Sequence, residues 1–194
     1  MTTATITFIE ALRTKDEKIR NILNLETCIS VVATFFYGKF VHSIETDKEI
    51  NYEKINETRY TDWAITTPIM LLVLVLALLY NNKSGAMKFS SYLIILLLNY
   101  GMLGMGYIGE LGILSKTNSN IGGFGFIYYK YLHNKFNFDN SILFWAFVIL
   151  WALYGVIYMM DEIAKNVGYN VLDLFSKCFV GIFFWAYYAN VFTL

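Results

Sequence analysis

The sequence predicts an all-α membrane protein built as a bundle of transmembrane helices. Three observations carry that expectation. Hydrophobic residues make up 57% of the 194 residues and charged residues 15%, against ~45–50% and ~25% in soluble globular domains. The apolar residues gather into runs close to the ~20 residues that a bilayer core requires. The 15 basic and 15 acidic residues cancel, and most fall between the runs. Mean hydropathy is +0.48. The same arithmetic excludes a disordered chain, which needs low hydrophobicity and high net charge. It also excludes a disulfide scaffold, because there are only two Cys. No basic excess points to nucleic acid.

The elements follow in order. Thr2–Leu12 is apolar with one Glu. At ~1.5 Å per residue it reaches about half of the hydrocarbon thickness. It reads as the inner half of a first helix that is short or truncated in this chain. It lacks the basic start and small-residue cleavage site of a signal peptide. Full spans are expected at Leu25–His42, Asp62–Tyr80, Ser90–Leu114, Ile142–Met160 and Val167–Leu194, with a shorter one at Ile121–Leu132. The expectation is six helices and a partial seventh in one domain over residues 1–194. The longest structureless stretch is the loop near Ser43–Glu57. Cys28 and Cys178 fall inside spans and read as small buried residues. Lys39 near a helix end reads as snorkelling.

Orientation follows from Lys and Arg in short loops. With the Arg13–Arg20 loop inside, Lys83, Lys88, Lys130 and Lys135 also lie inside. Outside lie Glu45, Asp47, Glu49, Glu53, Glu57, Asp161 and Glu162. This puts the C-terminus on the cytoplasmic side. Glu110, Asp161 and Glu162 read as solvated acids of the outer boundary, or as groups that release protons outward. His42 and His133 have no metal partner at ligand spacing, so no metal site is assigned.

Ionisable residues inside spans point to function. Four stand out: Glu26, Asp62, Asp173 and Lys177. A charged Lys at bilayer centre costs ~2.5–3.5 kcal/mol on insertion scales. It persists there paired, deprotonated or chemically modified. Asp173 and Lys177 are i,i+4 and share one helix face. That spacing suits a structural ion pair. It equally suits a Schiff-base lysine with its counter-ion, since a desolvated amine condenses readily with carbonyls.

A second charged helix carries the reading further. Arg59-Tyr60-Thr61-Asp62-Trp63-Ala64-Ile65-Thr66-Thr67-Pro68 sets Arg59, Asp62 and Thr66 on one side at i,i+3 and i,i+4 spacing. Together with Asp-x-x-x-Lys on the last helix, this string resembles the microbial rhodopsins. Trp151-Ala-Leu-Tyr154-Gly155-Val-Ile-Tyr158 resembles the retinal-pocket string of that family's sixth helix. Met102-Leu-Gly104-Met-Gly106-Tyr-Ile-Gly109 resembles its fourth. The resemblance is proteorhodopsin-like. The composition, rich in Asn, Ile, Lys and Tyr, and the short loops look like the rhodopsins of giant viruses.

The resemblance implies a seven-transmembrane-helix bundle enclosing all-trans retinal, bound as a Schiff base on Lys177. It implies Asp62 as primary counter-ion and proton acceptor, Asp173 as second counter-ion, and Arg59 as the cation on the outward side. Thr66 would hydrogen-bond Asp62. The pocket would be lined by Trp63, Thr67, Met70, Met102, Gly106, Trp151, Tyr154, Tyr158 and Ser176, and Met70 suggests green absorption. Tyr158 stands where the family usually has Trp, and Gly155 where it has Pro. Val73 stands where outward proton pumps carry the inner proton donor, and it cannot donate. Glu26 is the candidate replacement, against the alternative of an acid that favours a helix start through the macrodipole.

These residues imply a light-driven outward proton pump. The alternatives are a light-gated cation channel, suggested by Val73, Gly155 and Asn170, or a sensory photoreceptor. With no soluble domain in the sequence, an enzyme is not expected. The expected partners are the lipid bilayer, protons or small cations, and further copies of the chain in a homo-oligomer, a pentamer above all. The Arg13–Arg20 run would then form a basic ring at the inner rim.

Overall fold

The computed structural model describes residues 1–46, 51–83, 88–120 and 138–191. Every regular element in it is helical: α1 Thr2–Arg13, α2 Glu17–Thr46, α3 Tyr52–Asn81, α4 Phe89–Glu110, α5 Phe138–Tyr158 and α6 Glu162–Tyr188. Residues 116–120 are also helical. Five of these helices are long and apolar enough to cross a membrane: α2, α3, α4, α5 and α6. The candidate span Ile121–Leu132, with Lys130, His133 and Lys135, lies outside the described residues.

The helices overrun the apolar runs at their polar ends. Asp16 accepts from the backbone N–H of Lys18 and Ile19. Asn51 accepts from Lys54, and Asp161 from Ile163 and Ala164. Side-chain oxygens at these positions satisfy the orphan donors of a first turn, each worth ~0.5–2 kcal/mol. Asp161 is therefore a helix cap, not a free loop acid. The expected loop over Ser43–Glu57 is also shorter, because α2 runs to Thr46 and α3 begins at Tyr52.

The contacts gather the chain into two compact units. The first holds Met1–Ala77 and Asp173–Leu194. Its α1 turns Thr3, Ala4, Thr7 and Ala11 inward, small residues that let helix backbones approach closely. Thr7 Oγ1 and Thr27 Oγ1 share a hydrogen bond of 2.8 Å between α1 and α2. The buried stripe of α2 runs Ile22, Leu23, Glu26, Ile29, Ser30, Ala33, Phe36, Phe40, the three-to-four spacing of a helix face. Cys28 falls off that stripe and is exposed, and Cys178 is half-buried. Lys39 Nζ lies 4.7 Å above the Phe35 ring, where aromatic and cation attract.

Pro68 sits inside α3. It removes one backbone donor, and such gaps are tolerated where Ser or Thr re-satisfy the backbone. The two hydroxyls in the turn before it bond carbonyls other than that of Ala64, the one to which Pro68 offers no N–H. Thr66 Oγ1 donates to the Asp62 carbonyl at 2.9 Å, and Thr67 Oγ1 to the Trp63 carbonyl at 2.7 Å.

The second unit holds Leu78–Leu172. Polar side chains tie its helices. Asn140, fully buried, donates to the Leu78 carbonyl and accepts from Asn81, each at 3.0 Å. Tyr158 donates to the Gly106 carbonyl at 3.0 Å. Asn120 donates to the Gly155 carbonyl at 3.1 Å. Gly168 meets the Ile157 side chain, and a Cβ there would come within 2.9 Å of it.

The strongest tie of this unit was not legible as a span charge. Lys165 is 0% exposed. Its Nζ donates to Glu110 Oε2 at 2.6 Å and to Glu162 Oε1 at 2.7 Å. Lys116 reaches the same Glu162 oxygen at 3.4 Å. Glu110 is thus a buried partner of Lys165, not a solvated acid.

Removing one member of a buried ion pair strands the other charge, at about 3–5 kcal/mol. Lys165→Met should destabilise the protein on that scale in detergent unfolding followed by circular dichroism. Adding Glu110→Gln should recover most of the loss. A single variant as stable as the parent would show that this pair holds nothing together.

Candidate functional site

The first unit concentrates charge where a membrane helix tolerates it least. Lys177 is 1% exposed and lies within the π-helical stretch Leu174–Phe179 of α6. A π turn inserts an extra residue into the helix and is common at functional sites. Lysine side chains on a helix lean toward its N-terminus, so Nζ reaches back toward Asp173. It donates to Asp173 Oδ2 at 3.0 Å and to Asp62 Oδ2 of α3 at 2.5 Å.

The two carboxylates differ in their surroundings. Asp173 also accepts from the Tyr37 hydroxyl at 3.0 Å and from Trp63 Nε1 at 3.2 Å. Asp62 is fully buried, and among the described residues its Oδ1 has no hydrogen-bond partner. Thr66, expected on that carboxylate, instead bonds the Asp62 backbone carbonyl. A threonine hydroxyl in a helix readily folds back on the carbonyl four residues before it. Arg59 is 1% exposed, stands 5.0 Å from the Phe40 ring and reaches the Tyr37 hydroxyl. Two cations and two anions thus lie buried together, neutral as a set.

Tyr37 was not anticipated. It stands in the run Phe35-Phe36-Tyr37, where one hydroxyl among aromatics gives no sequence signal. Trp63, expected as a pocket wall, also donates to the second carboxylate.

Glu26 lies elsewhere in the same unit. It is 2% exposed, and its Oε2 has no hydrogen-bond partner among the described residues. Its helix begins at Glu17, so Glu26 is well past the first turn, where the macrodipole acts. The helix-start explanation fails on that ground. Glu26 faces Gly181 of α6, one turn beyond Lys177: a Cβ at Gly181 would meet Glu26 Oε2 at 3.0 Å and Thr3 Cγ2 at 2.8 Å. Val73 is fully buried and offers no titratable group.

The remaining expected pocket residues divide between the units. In the first, Thr67, Met70 and Ser176 are buried. In the second, Tyr158 is buried, while Met102, Gly106, Trp151 and Tyr154 are half-buried. Tyr158 and Gly106 are joined directly by their hydrogen bond, and Tyr154 stacks on Tyr169 with centroids 5.9 Å apart.

The donor set suits retinal held as an imine. The Lys177 ammonium stands for the protonated imine nitrogen, and the two carboxylates that receive it would remain its counter-ions. The unpartnered Asp62 Oδ1 leaves one acceptor site for a further proton.

Comparison with known proteins identifies the family. The model of the family described as bacteriorhodopsin-like protein matches residues 1–191. A search among curated proteins returned no match. Among solved structures, the viral rhodopsin OLPVRII is 58% identical, with a TM-score of 0.92 over 100% of this chain and 93% of that one. The blue light-absorbing proteorhodopsin from Med12 is 23% identical, with a TM-score of 0.75 over 95% of this chain and 88% of that one. Xanthorhodopsin, a light-driven ion pump with dual chromophore, is 18% identical, with a TM-score of 0.68 over 95% and 87%. The last two share the fold. The chain belongs to the bacteriorhodopsin-like family, multi-pass membrane proteins that serve as retinal-based photoreceptors and ion transporters and not as enzymes.

Proposed function

We propose that this chain is a light-driven outward proton pump, with retinal bound to Lys177 and the proton at Nζ passed to Asp62. The observation that carries the reading is the 2.5 Å contact between Lys177 Nζ and Asp62 Oδ2, with a separate buried acid, Glu26, at Gly181. The chain is taken as a single retinal-binding domain over residues 1–194. Its C-terminus is cytoplasmic, and it assembles as a homo-oligomer, a pentamer above all.

When bound to the lysine amine, retinal supplies light absorption and a light-driven change in the proton affinity of Nζ. The residues do the rest. Lys177, Asp62 and Asp173 hold the proton between them in the dark. Three side-chain donors stabilise Asp173 as an anion: Tyr37, Trp63 and Lys177. Asp62 has Lys177 alone among the described residues. Hydrogen bonds to a carboxylate favour its charged form, so the proton goes to Asp62 and Asp173 stays ionised. Arg59 balances the remaining negative charge on that side. The family resemblance assigns to the polyene Trp63, Thr67, Met70 and Ser176 of the first unit and Met102, Gly106, Trp151, Tyr154 and Tyr158 of the second.

Reprotonation needs a donor on the other side. Val73 cannot serve. An ionised carboxylate buried without a partner is costly, so Glu26 holds its proton in the dark and gives it up after Asp62 has been protonated.

Photocurrents at a series of clamped voltages in retinal-supplied cells test the transport reading. A current that stays outward across the range is expected. A current that reverses with the ion gradient would make the protein a channel. Lys177→Ala should give no visible pigment when retinal is added, and a coloured variant would refute the retinal site. Glu26→Gln should lengthen the last phase of the photocycle. That phase should then slow about tenfold per pH unit, as expected when the proton comes from bulk water. An unchanged decay would remove Glu26 as donor.

A further inference from the structure

Between Glu26 and the charged cluster, α2 carries one other buried polar group with nothing to bond. Ser30 is 3% exposed, and its Oγ, like Glu26 Oε2, has no hydrogen-bond partner among the described residues. Buried polar atoms are rarely left so, and ordered water commonly completes them. Glu26 and Ser30 are i,i+4 on the buried stripe of α2, about 6 Å apart along the axis.

The antiparallel packing of α2 and α6 fixes what lies at each level. Glu26 meets α6 at Gly181. About three turns further along α2, Tyr37 reaches Asp173. Lys177 is midway between Gly181 and Asp173, and Ser30 lies between Glu26 and Tyr37 on the same stripe. Ser30 is therefore the hydroxyl between the candidate donor and the lysine. Gly181 keeps the place open: a Cβ there would press on Glu26 Oε2 at 3.0 Å and on Thr3 Cγ2 at 2.8 Å, both closer than ordinary contact.

We propose that Ser30 and Gly181 are positioning residues of the inner proton path: Glu26 and Ser30 share a bridging water, and Gly181 holds the space that lets the Glu26 carboxyl face it. This rests on the reading of Glu26 as donor and extends it. The transfer balances along the chain. Glu26 Oε2–H gives its proton to the water, the water gives one of its own to Ser30 Oγ, and Ser30 passes its hydroxyl proton on toward Lys177 Nζ. Each intermediate gives as it receives, and Glu26 regains a proton from the inner aqueous phase. The direct contact of Thr3 and Glu26 with Gly181 makes this a junction of three helices, so a single methyl group added there cannot be absorbed by one side chain alone.

Flash photolysis of the full retinal-loaded chain in lipid tests this. Ser30→Ala and Gly181→Ala should each lengthen the final phase on the order of tenfold. The rate of Asp62 protonation and the dark absorption maximum should stay as in the parent. Ser30→Thr, which keeps the hydroxyl, should restore the parent rate. The infrared carbonyl stretch of protonated Glu26 should shift in Ser30→Ala, a signature that a purely structural serine would not give. If Glu26→Gln is slow while Ser30→Ala matches the parent in rate and carbonyl stretch, the relay is wrong and the donor stands. If Glu26→Gln recovers at the parent rate, the donor reading falls and takes the relay with it. Should Gly181→Ala yield no pigment, the serine pair of variants decides the question alone.

Discussion

The structure turns on one buried cation. Lys177 stands in the middle of a membrane helix, where a lone charged lysine costs several kcal/mol. Its cost is offset only because α3 brings Asp62 to its Nζ at 2.5 Å and α6 itself supplies Asp173 at 3.0 Å. Those anions in turn require α2, whose Tyr37 holds Asp173, and Arg59, which makes the set neutral. Three helices are thereby bound to one register. A slip of any of them by a turn, ~5.4 Å, would leave a charge buried without its partner. The aromatic and aliphatic contacts around the cluster supply area, but the ion set decides which arrangement of the helices is allowed.

Much of this was legible because membrane helices announce their exceptions. A charge in an apolar run is visible at once, and Asp173 and Lys177 are four apart. Asp62 and Glu26 were equally plain. Lys165 was missed for the converse reason. It stands near the polar start of α6, where a lysine reads as a boundary residue. Only the approach of Glu110 from α4 encloses it. Thr66 shows a different limit. Its spacing from Asp62 was read correctly, but i,i+4 spacing brings a threonine near both the carboxylate and the backbone carbonyl of its neighbour, and the carbonyl won. The π turn had no signal either. No Gly or Pro lies within Leu174–Phe179, and the extra residue is set by how α6 packs on its neighbours.

The two units use different chemistry for closure. In the second unit α4 and α6 are closed by charge, Lys165 between Glu110 and Glu162. In the first unit α1, α2 and α6 meet through small residues and hydroxyls: Gly181, Thr3, Ala4, Thr7 and Thr27. A charged clasp is stiff, since opening it strands an ion. A junction of hydroxyls and glycine is easier to rehydrate, because each group trades one weak bond for another.

That difference bears on the proposed proton path. Ile22, Leu23 and Ile29 share the buried stripe of α2 with Glu26 at 0–1% exposure, and Val73, Leu74 and Ala77 of α3 are buried to 0–2%. A metal cation entering there would need several oxygen ligands at once to replace its water shell. Among the described residues, two unpartnered oxygens lie on this stretch of α2: Glu26 Oε2 and Ser30 Oγ. A proton needs no such shell. It moves along single hydrogen bonds, one acceptor at a time. Two buried oxygens therefore suit the proton path proposed above better than they suit sodium or potassium. Val73 of α3 is fully buried and offers no oxygen, so the proposed proton path relies on Glu26 of α2, which lies beside Gly181.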